Sequence, residues 1–302
     1  MTSLTPPELA PLTDIDLNWT HTPMRWQGAA LGAEVALILD APRLEAEAAV
    51  QHAEMTLENI TMQFNLFDDS SQLQQLNQTG TLNAPSAMFL DLCSIATRLH
   101  VATNGLFDPT IQPLWRALFE GTPAHLARPR IGWNQLDISA GAITLGPDQN
   151  ISFNGVAQGF ATDILTKALK ELGVKQAAIQ LGELAIIGGP ASVPLAHPLP
   201  DGTKSIAMHD GALSLSIPRR VALGRYGHIL HPHGLPAKAG WPWVAVEASS
   251  AAIADGASTA FTLMTVREIE QALEHLPEIS RVRILREDGH IHDLKPRATA
   301  TL

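Results

Sequence analysis

The sequence predicts an α+β fold with mixed or antiparallel sheets and packed helices. Strand-like and helix-like segments alternate along the chain, but without the regular strand–helix–strand repeat of a doubly wound parallel sheet. The pair Asp288-Gly289 lies between two strand-like segments and predicts a hairpin, which joins antiparallel strands. With 302 residues, of which 45% are hydrophobic, the chain can bury a sizeable core in one large domain or in two lobes.

The first half of the chain predicts an N-terminal arm followed by one strand and three helices. Residues 1–24 are rich in proline and lack periodicity, so they predict the arm. Apolar residues at helical spacing predict helices over 43–63 and 86–103, and the second of these ends at Asn104-Gly105. The other elements are a strand over 32–39 and a short helix capped by Asp69, Ser70 and Ser71.

The chain from residue 106 onward predicts more strands than helices. Residues 151–174 predict a strand, a tight turn and a helix, and residues 177–189 predict a strand with a glycine-rich end. Two helices follow at 250–265 and 266–276. The other predicted elements are a turn into a helix over 106–118, short strands near 135–138 and 142–145, and strands over 205–210, 212–217, 228–230 and 243–248.

The composition excludes several classes of protein. The chain has 20 basic and 30 acidic residues, a net charge of −10, which makes it a poor binder of nucleic acid. A membrane span needs about 18 uninterrupted apolar residues, and no segment approaches that length. Cys93 is the single cysteine, which excludes an internal disulfide and a multi-cysteine metal site. The first residues carry neither the basic nor the apolar region of an export signal, so we expect a cytoplasmic protein.

The segment from Asn154 to Gly159 reads Asn-Gly-Val-Ala-Gln-Gly and opens a predicted helix. Gly155 and Gly159 allow a ligand to approach the backbone closely, and the free N–H groups of a helix start favour phosphate. A plain strand-to-helix turn that needs glycine for steric reasons explains the same residues. The motif of a Walker loop is absent, so both interpretations stay open.

A polar stripe marks the predicted helix over 250–265. Asp255, Ser258, Thr259 and Thr262 fall at helical spacing on one face, while the other positions are largely apolar. Carboxylate and hydroxyl oxygens suit Mg²⁺ or Ca²⁺. The alternative is an Asp cap followed by Ser and Thr side chains that bond to backbone carbonyls of the same helix.

Two further segments carry candidate chemistry. His228, His231 and His233 could gather a transition metal, and His228 could equally act as a general base near neutral pH. A polar loop rich in histidine is the simpler interpretation. Asp108, which precedes Pro109 and Thr110, could cap the following helix or contact a ligand.

Together these segments resemble the FAD:protein FMN transferase family, the ApbE-like proteins. Five motifs occur in the family's order and cover most of the chain, from about residue 25 to 285. They are FNLFDDSSQLQQLN (64–77), TNGLFDPTIQPLW (103–115), ISFNGVAQGFATD (151–163), GHILHPHG (227–234) and ADGASTAF (254–261). We therefore expect an ApbE-like domain over 25–285, followed by a C-terminal hairpin and tail over 286–302.

The resemblance implies a specific activity. Family members bind FAD and use Mg²⁺ to transfer FMN onto a Thr or Ser of a target flavoprotein, releasing AMP. The family's metal ligands correspond to the backbone carbonyl of Ala157 and the side chains of Asp255 and Thr259. The family histidine corresponds to His228, a candidate for activating the acceptor hydroxyl. The implied flavin-binding residues are Asp108, Asn154, Gly155, Gln158, Gly159, Gly182, Glu183 and Ser216.

Several positions depart from the family pattern. Ser152 and Asn154 replace Asp and Gly of the turn, Gln158 replaces Lys, and the segment of Glu183 departs from Gly-Gly-Asp. The negative charge of Glu183 repels a pyrophosphate beside it unless a metal ion lies between them. Three alternatives therefore stand beside transfer. They are a divergent flavin-binding accessory protein without transferase activity, an enzyme that hydrolyses FAD to FMN and AMP, and a transition-metal protein that binds its ion through the histidine loop.

Overall fold

The computed structural model describes residues 19–195, 201–223, 226–233 and 240–297, together with Leu12, Ile15, Leu17 and Leu199. Most of the predicted arm therefore lies outside the described residues, as do Gly234 of the histidine loop and residues 298–302 of the predicted tail.

The described residues form eight α-helices and fifteen strands. The helices are α1 (Arg43–Phe64), α2 (Gln72–Thr79), α3 (Ala87–Ala102), α4 (Gln112–Glu120), α5 (Ala124–Ala127), α6 (Ala157–Glu171), α7 (Ala251–Phe261) and α8 (Val266–Leu273). The strands are β1 (Met24–Ala30), β2 (Ala33–Asp40), β3 (Thr81–Asn83), β4 (Asp137–Ile138), β5 (Ala142–Thr144), β6 (Gln176–Leu181), β7 (Glu183–Ile187), β8 (Ala191–Pro194), β9 (Ser205–Met208), β10 (Gly211–Ser216), β11 (Ala222–Leu223), β12 (Tyr226–Gly227), β13 (Trp243–Ala248), β14 (Ile279–Leu285) and β15 (Ile291–Leu294).

The largest sheet has eight strands in the order β1-β2-β6-β7-β10-β13-β14-β15. Every neighbouring pair in it is antiparallel. The last two strands form the hairpin that the Asp288-Gly289 turn predicts. The sheet and its helices confirm the predicted α+β class.

Side chains alternate along the strands, so the sheet separates two hydrophobic cores. Leu37 and Ile179 are paired across β2 and β6 and belong to the larger core, which includes residues of α1, α3, α6 and α7. Their neighbours Ile38 and Ala178 are paired in the same way and belong to the second core, with β8 and β9. The candidate site lies on the helical side of the sheet, where α6 and α7 pack against each other and against the sheet.

The predicted helices of the first half are confirmed, and local capping explains their ends. The Ser71 hydroxyl accepts a backbone N–H of the first turn of α2 at 3.1 Å, and Ser86 caps α3 in the same way at 3.0 Å. After α3, Asn104 and Gly105 have positive φ angles of 50° and 77°. These side chains and angles act within a few residues, which is why the sequence predicts them.

Two predicted strands are wrong. Residues 151–153 join no sheet, because the N–H of Ile151 donates to the Asn77 side chain at 2.8 Å and that of Ser152 donates to the Pro109 carbonyl at 2.9 Å. Their apolar residues reflect burial in the core and not pairing with a strand. Residues 228–230 are a loop after β12, and Leu230 is buried in a small cluster with residues of α4.

The region 177–189 forms two strands where the sequence predicts one. Gly182 has a φ of 71° and reverses the chain between β6 and β7, so that Leu181 pairs with Glu183. A long apolar run does not reveal a reversal at a single glycine. The half-exposed edge strand β1 has no counterpart in the prediction, since its alternation of intermediate and exposed residues carries little apolar signal.

Candidate active site

A cavity of about 440 Å³ brings most of the sequence-predicted site residues together. Its walls come from α7, from the start of α6, from the β6–β7 turn, from the end of β10 and from the loop after β12. The predicted residues that line it are Asp108, Asn154, Gly155, Gln158, Gly182, Glu183, Ser216, His228, Asp255 and Thr259. Ala157 and Gly159 do not line it.

Gly159 has a packing role. A Cβ atom at this position would lie 2.3 Å from the Ala251 carbonyl oxygen, so only glycine lets α6 and α7 approach this closely. Its N–H donates to Oδ2 of Asp255 at 3.0 Å and is therefore engaged. The steric interpretation of this glycine is supported, and its contact with a nucleotide stays a prediction.

Asp163 of α6 positions α7, which carries the polar stripe. Its carboxylate accepts the Ser250 hydroxyl at 2.6 Å and the N–H groups of Ala251 and Ala252 at 2.7 and 3.0 Å. Burial raises the pKa of Asp163, while these three donors lower it. A carboxylate at a helix N-terminus is favourable because the first N–H groups have no partner within the helix. Sequence reasoning did not select Asp163, although it ends the 151–163 motif.

The four stripe residues of α7 have different partners. Ser258 contacts the Ser214 and Ser216 hydroxyls at 2.8 and 2.7 Å, and Thr262 donates to the Thr259 carbonyl at 2.7 Å. Ser258 also donates to the Asp255 carbonyl at 3.0 Å. Back-bonding to carbonyls therefore explains Thr262 and part of Ser258, whereas Asp255 and Thr259 face the cavity.

Asp255 and Glu183 form a pair of buried carboxyl groups. Burial raises the pKa of Asp255 to about 7. Burial also raises the pKa of Glu183 well above its usual range, and the negative charge of Asp255 raises it further. The two carboxyl groups shift each other's pKa, and the neighbouring Ser214 hydroxyl lowers the pKa of Glu183. Two carboxylates in contact cannot both ionise freely, so without a cation one of them holds a proton.

Sequence reasoning did not select Ser214. The signal was present, because Ser214 and Ser216 stand two residues apart on β10 and therefore share one face of the sheet. That face meets α7, where Ser258 lies between the two hydroxyls.

Asp108 acts as a cap, and it also lines the cavity. Its Oδ1 accepts the N–H and the hydroxyl of Thr110 at 2.9 and 2.5 Å, and its Oδ2 accepts the N–H of Trp133 at 3.2 Å. His100 lies 3.7 Å from the same carboxylate. These contacts support the capping interpretation, and its contact with flavin stays a prediction.

His228 presents a partly buried imidazole to the cavity. Burial lowers its pKa, because removal from water penalises the charged ring. The ring is therefore neutral near pH 7, which is the form that accepts a proton. Its Nδ1 is buried and has no hydrogen-bond partner within the described part of the chain.

The other two histidines of this loop do not join His228 in a metal site. The rings of His231 and His233 lie 5.9 Å apart, and neither residue lines the cavity. Across the described residues, no group of three or more His, Cys, Asp or Glu side chains is suited to hold a metal ion. The structure thus lends no support to a transition-metal site in this loop.

The sequence model of the ApbE family matches residues 31–282. The chain belongs to the ApbE family. This match confirms the resemblance drawn from the five motifs.

Other ApbE proteins resemble the chain in sequence and in fold. It is 25% identical over 249 residues to the FAD:protein FMN transferase of Haemophilus influenzae, covering 71% of this chain and 72% of that protein. The flavin transferase ApbE of Vibrio cholerae superposes with a TM-score of 0.78 at 21% identity, covering 92% of this chain and 98% of the other. The apo flavinyl transferase ApbE of Pseudomonas stutzeri gives 0.76 at 22% identity, covering 92% and 95%.

In this ApbE protein most of the charged residues on the cavity wall are acidic. Asp108, Glu183 and Asp255 contribute carboxyl groups, whereas Arg220 is the one Lys or Arg among the lining residues that the structure describes. Gln158 packs against Gly182, where a Cβ would lie 2.1 Å from its amide oxygen. None of the described helices is both long enough and apolar enough to cross a membrane.

Proposed function

We propose that this protein transfers FMN from FAD to the hydroxyl of a Thr or Ser residue in an acceptor flavoprotein, releasing AMP in a Mg²⁺-dependent reaction. One observation carries the proposal. His228, Asp255 and Thr259, which come from distant parts of the chain, line the same cavity of about 440 Å³. The name of the Haemophilus influenzae relative, FAD:protein FMN transferase, supports the same activity.

The space around the site suits an extended dinucleotide. A second cavity of about 1140 Å³ lies beside the first, and the two share Gly182, Leu215, Ile217 and Arg220. Small-molecule sites typically have volumes of roughly 300–1,000 Å³. FAD consists of two mononucleotide halves joined by a pyrophosphate, so two adjoining cavities offer room for both halves.

The residues of the site fit Mg²⁺. Asp255 and Thr259 present a carboxylate and a hydroxyl to the cavity, and Oε2 of Glu183 is buried beside them without a hydrogen-bond donor in the described residues. Hard oxygen donors of this kind are preferred by Mg²⁺. In this proposal Asp255 and Thr259 hold the ion from the cavity wall, and the third ligand is the carbonyl of Ala157, which the family resemblance implies and which does not itself line the cavity. When bound, Mg²⁺ would neutralise charge on the pyrophosphate and polarise the phosphorus that the hydroxyl attacks.

The protein's own residues orient the reactants and accept the proton. The acceptor hydroxyl oxygen forms a bond to the FMN phosphorus, and the bond from that phosphorus to the bridging oxygen breaks, so that AMP leaves. His228 takes the hydroxyl proton on its ring, which its lowered pKa keeps neutral before the reaction. The loop that carries His228 places the ring at the cavity wall, within reach of a hydroxyl that enters there.

Flavin transfer can be tested with FAD and a flavoprotein acceptor domain that a characterised ApbE-family transferase modifies. Covalent flavin on the acceptor is read by in-gel fluorescence, and AMP is measured by chromatography, in Mg²⁺ and in EDTA. We expect equal amounts of both products in Mg²⁺ and a loss of both in EDTA. His228→Ala lowers kcat by about 10²–10⁴-fold, the usual contribution of a general base. His231→Ala is the matched control on the same loop and retains activity.

The product pattern separates the alternatives. AMP released without any acceptor indicates hydrolysis of FAD. FAD binding without AMP release under any condition indicates an accessory flavin-binding protein. Either pattern, or full activity of His228→Ala, contradicts the proposed transfer mechanism.

A further inference from the structure

Glu183 occupies an unusual position for an acidic residue. It is the first residue of β7, only 7% of its surface is exposed, and its side chain lines the cavity from the sheet side. Asp255 lines the same cavity from α7 and is 5% exposed. The two carboxyl groups thus face one cavity from the sheet and from the helix, close enough to shift each other's pKa.

One oxygen of the Glu183–Asp255 pair has no hydrogen-bond donor among the described residues. The N–H of Gly159 donates to Asp255 Oδ2 at 3.0 Å, and the nearby Ser214 hydroxyl lowers the pKa of Glu183. Oε2 of Glu183 is buried and has no donor among the described residues. A buried carboxylate oxygen without a donor is costly, because burial removes the water that would otherwise solvate it.

No cationic side chain is among the groups that shift the pKa of Glu183 or Asp255. Arg220 is the one Lys or Arg among the described residues that line the cavity, and it also lines the second cavity. The neighbouring side chains on α7 and β10 are hydroxyls, namely Thr259 and Ser216. These groups can serve as oxygen ligands or hydrogen-bond donors, but they carry no positive charge.

We propose that Glu183 is a ligand of the divalent cation at this site and, with Asp255, enables the protein to bind the ion before any nucleotide is present. This inference rests on the proposed function, since it concerns the same ion. It extends that function to a residue outside the ligand set of Ala157, Asp255 and Thr259. The repulsion between the two carboxyl groups can be removed either by a proton on one of them or by a bound cation. The absence of a described hydrogen-bond donor to Oε2 of Glu183 favours the cation.

The proposal has a consequence for FAD binding. Without the ion, the remaining negative charge of the carboxyl pair repels the pyrophosphate, so FAD binds weakly. With the ion the repulsion becomes attraction, and FAD binds after the metal. Removal of the Glu183 charge therefore weakens metal binding and at the same time reduces the dependence of FAD binding on metal.

The experiment measures metal binding to the nucleotide-free protein by titration calorimetry with Mn²⁺ and Mg²⁺. The variants are Glu183→Gln and Asp255→Asn, which keep the shape of each side chain, and the double variant. Glu171→Gln, an exposed glutamate of α6, is the matched control. FAD binding is followed separately by flavin fluorescence in EDTA and in Mg²⁺. Thermal unfolding of each metal-free variant shows that it is folded.

We expect the wild-type protein and Glu171→Gln to bind Mn²⁺ without nucleotide, and Glu183→Gln to bind it at least about tenfold more weakly, since one charged ligand is lost. The double variant should lose less than the sum of the two single effects, because both residues hold one ion. Glu183→Gln should also bind FAD more tightly than wild type in EDTA.

Two results overturn the inference. One is wild-type protein that binds no Mn²⁺ or Mg²⁺ without nucleotide, and the other is Glu183→Gln with wild-type metal affinity. If flavin transfer in Mg²⁺ survives in either case, the proposed function stands and only the role of Glu183 is lost. If transfer fails while Glu183→Gln still weakens metal binding, the metal site stands and the transfer reaction is lost.

Discussion

Two aspartates on neighbouring helices show how similar residues serve different ends. Asp163 of α6 accepts three hydrogen bonds from the first residues of α7 and its cap, so its charge is well compensated. Asp255 of α7 accepts one backbone N–H and faces the carboxyl group of Glu183. The first arrangement stabilises the helix pair. The second leaves negative charge uncompensated inside a cavity, which is typical of a binding site.

The largest expected effect distinguishes the two aspartates by activity. Asp255→Asn should reduce Mg²⁺-dependent flavin transfer by about 10³-fold, or about 4 kcal/mol of transition-state stabilisation. Its metal-free unfolding free energy should be unchanged or higher, because a buried charge pair is removed. Transfer assays and urea unfolding in EDTA measure the two quantities. If Asp255→Asn retains full transfer, Asp255 does not hold the ion, and its contrast with Asp163 is wrong.

The second prediction concerns stability. Asp163→Ala removes three hydrogen bonds at the start of α7 and should lower the free energy of unfolding by about 3 kcal/mol. Urea unfolding measures it, and the surface variant Glu171→Ala serves as control with a change below about 0.5 kcal/mol. A loss below about 1 kcal/mol would show that α7 does not depend on this cap.

The third prediction uses pH to sharpen the contrast. The pKa of Asp255 rises from 3.8 to about 7 on folding, so between these values the folded state binds more protons than the unfolded state. Its contribution to stability is therefore full below about pH 4 and is lost as the pH rises through about 7. The metal-free protein should lose about 3 kcal/mol over this range, and Asp255→Asn should lose less. Urea unfolding in EDTA at several pH values measures the slope. An equal slope in both proteins would contradict the assignment.

The smallest effect concerns the hydroxyls behind the carboxyl pair. Ser258→Ala removes the contacts with Ser214 and Ser216 and should cost about 1 kcal/mol of stability. Because Ser214 lies near Glu183 and lowers its pKa, Mn²⁺ affinity should change, but by only a few-fold. Unfolding and metal titration measure both. A larger loss of metal affinity than in Glu183→Gln would make Ser258 the more important residue.

Local signals in the sequence predict much of the fold. The caps Ser71 and Ser86, the stop at Asn104-Gly105 and the C-terminal hairpin all act within a few residues. The prediction fails where burial imitates a strand, at residues 151–153, and where a glycine reverses the chain inside an apolar run, at Gly182. At 151–153 the deciding contacts are with the distant residues Asn77 and Pro109, whereas at Gly182 the deciding feature is the positive φ angle of one residue.

The sequence by itself determined the α+β class, most helix ends, the family motifs and the candidates His228, Asp255 and Thr259. Only the tertiary structure decided which of these share a cavity and what they contact there. The bond from Gly159 to Asp255 joins residues 96 positions apart, and neither residue signals it locally. The pairing of Glu183 with Asp255 depends equally on how α7 packs on the sheet. Periodicity and caps are local properties of a chain, whereas burial and charge pairing arise only when distant segments meet.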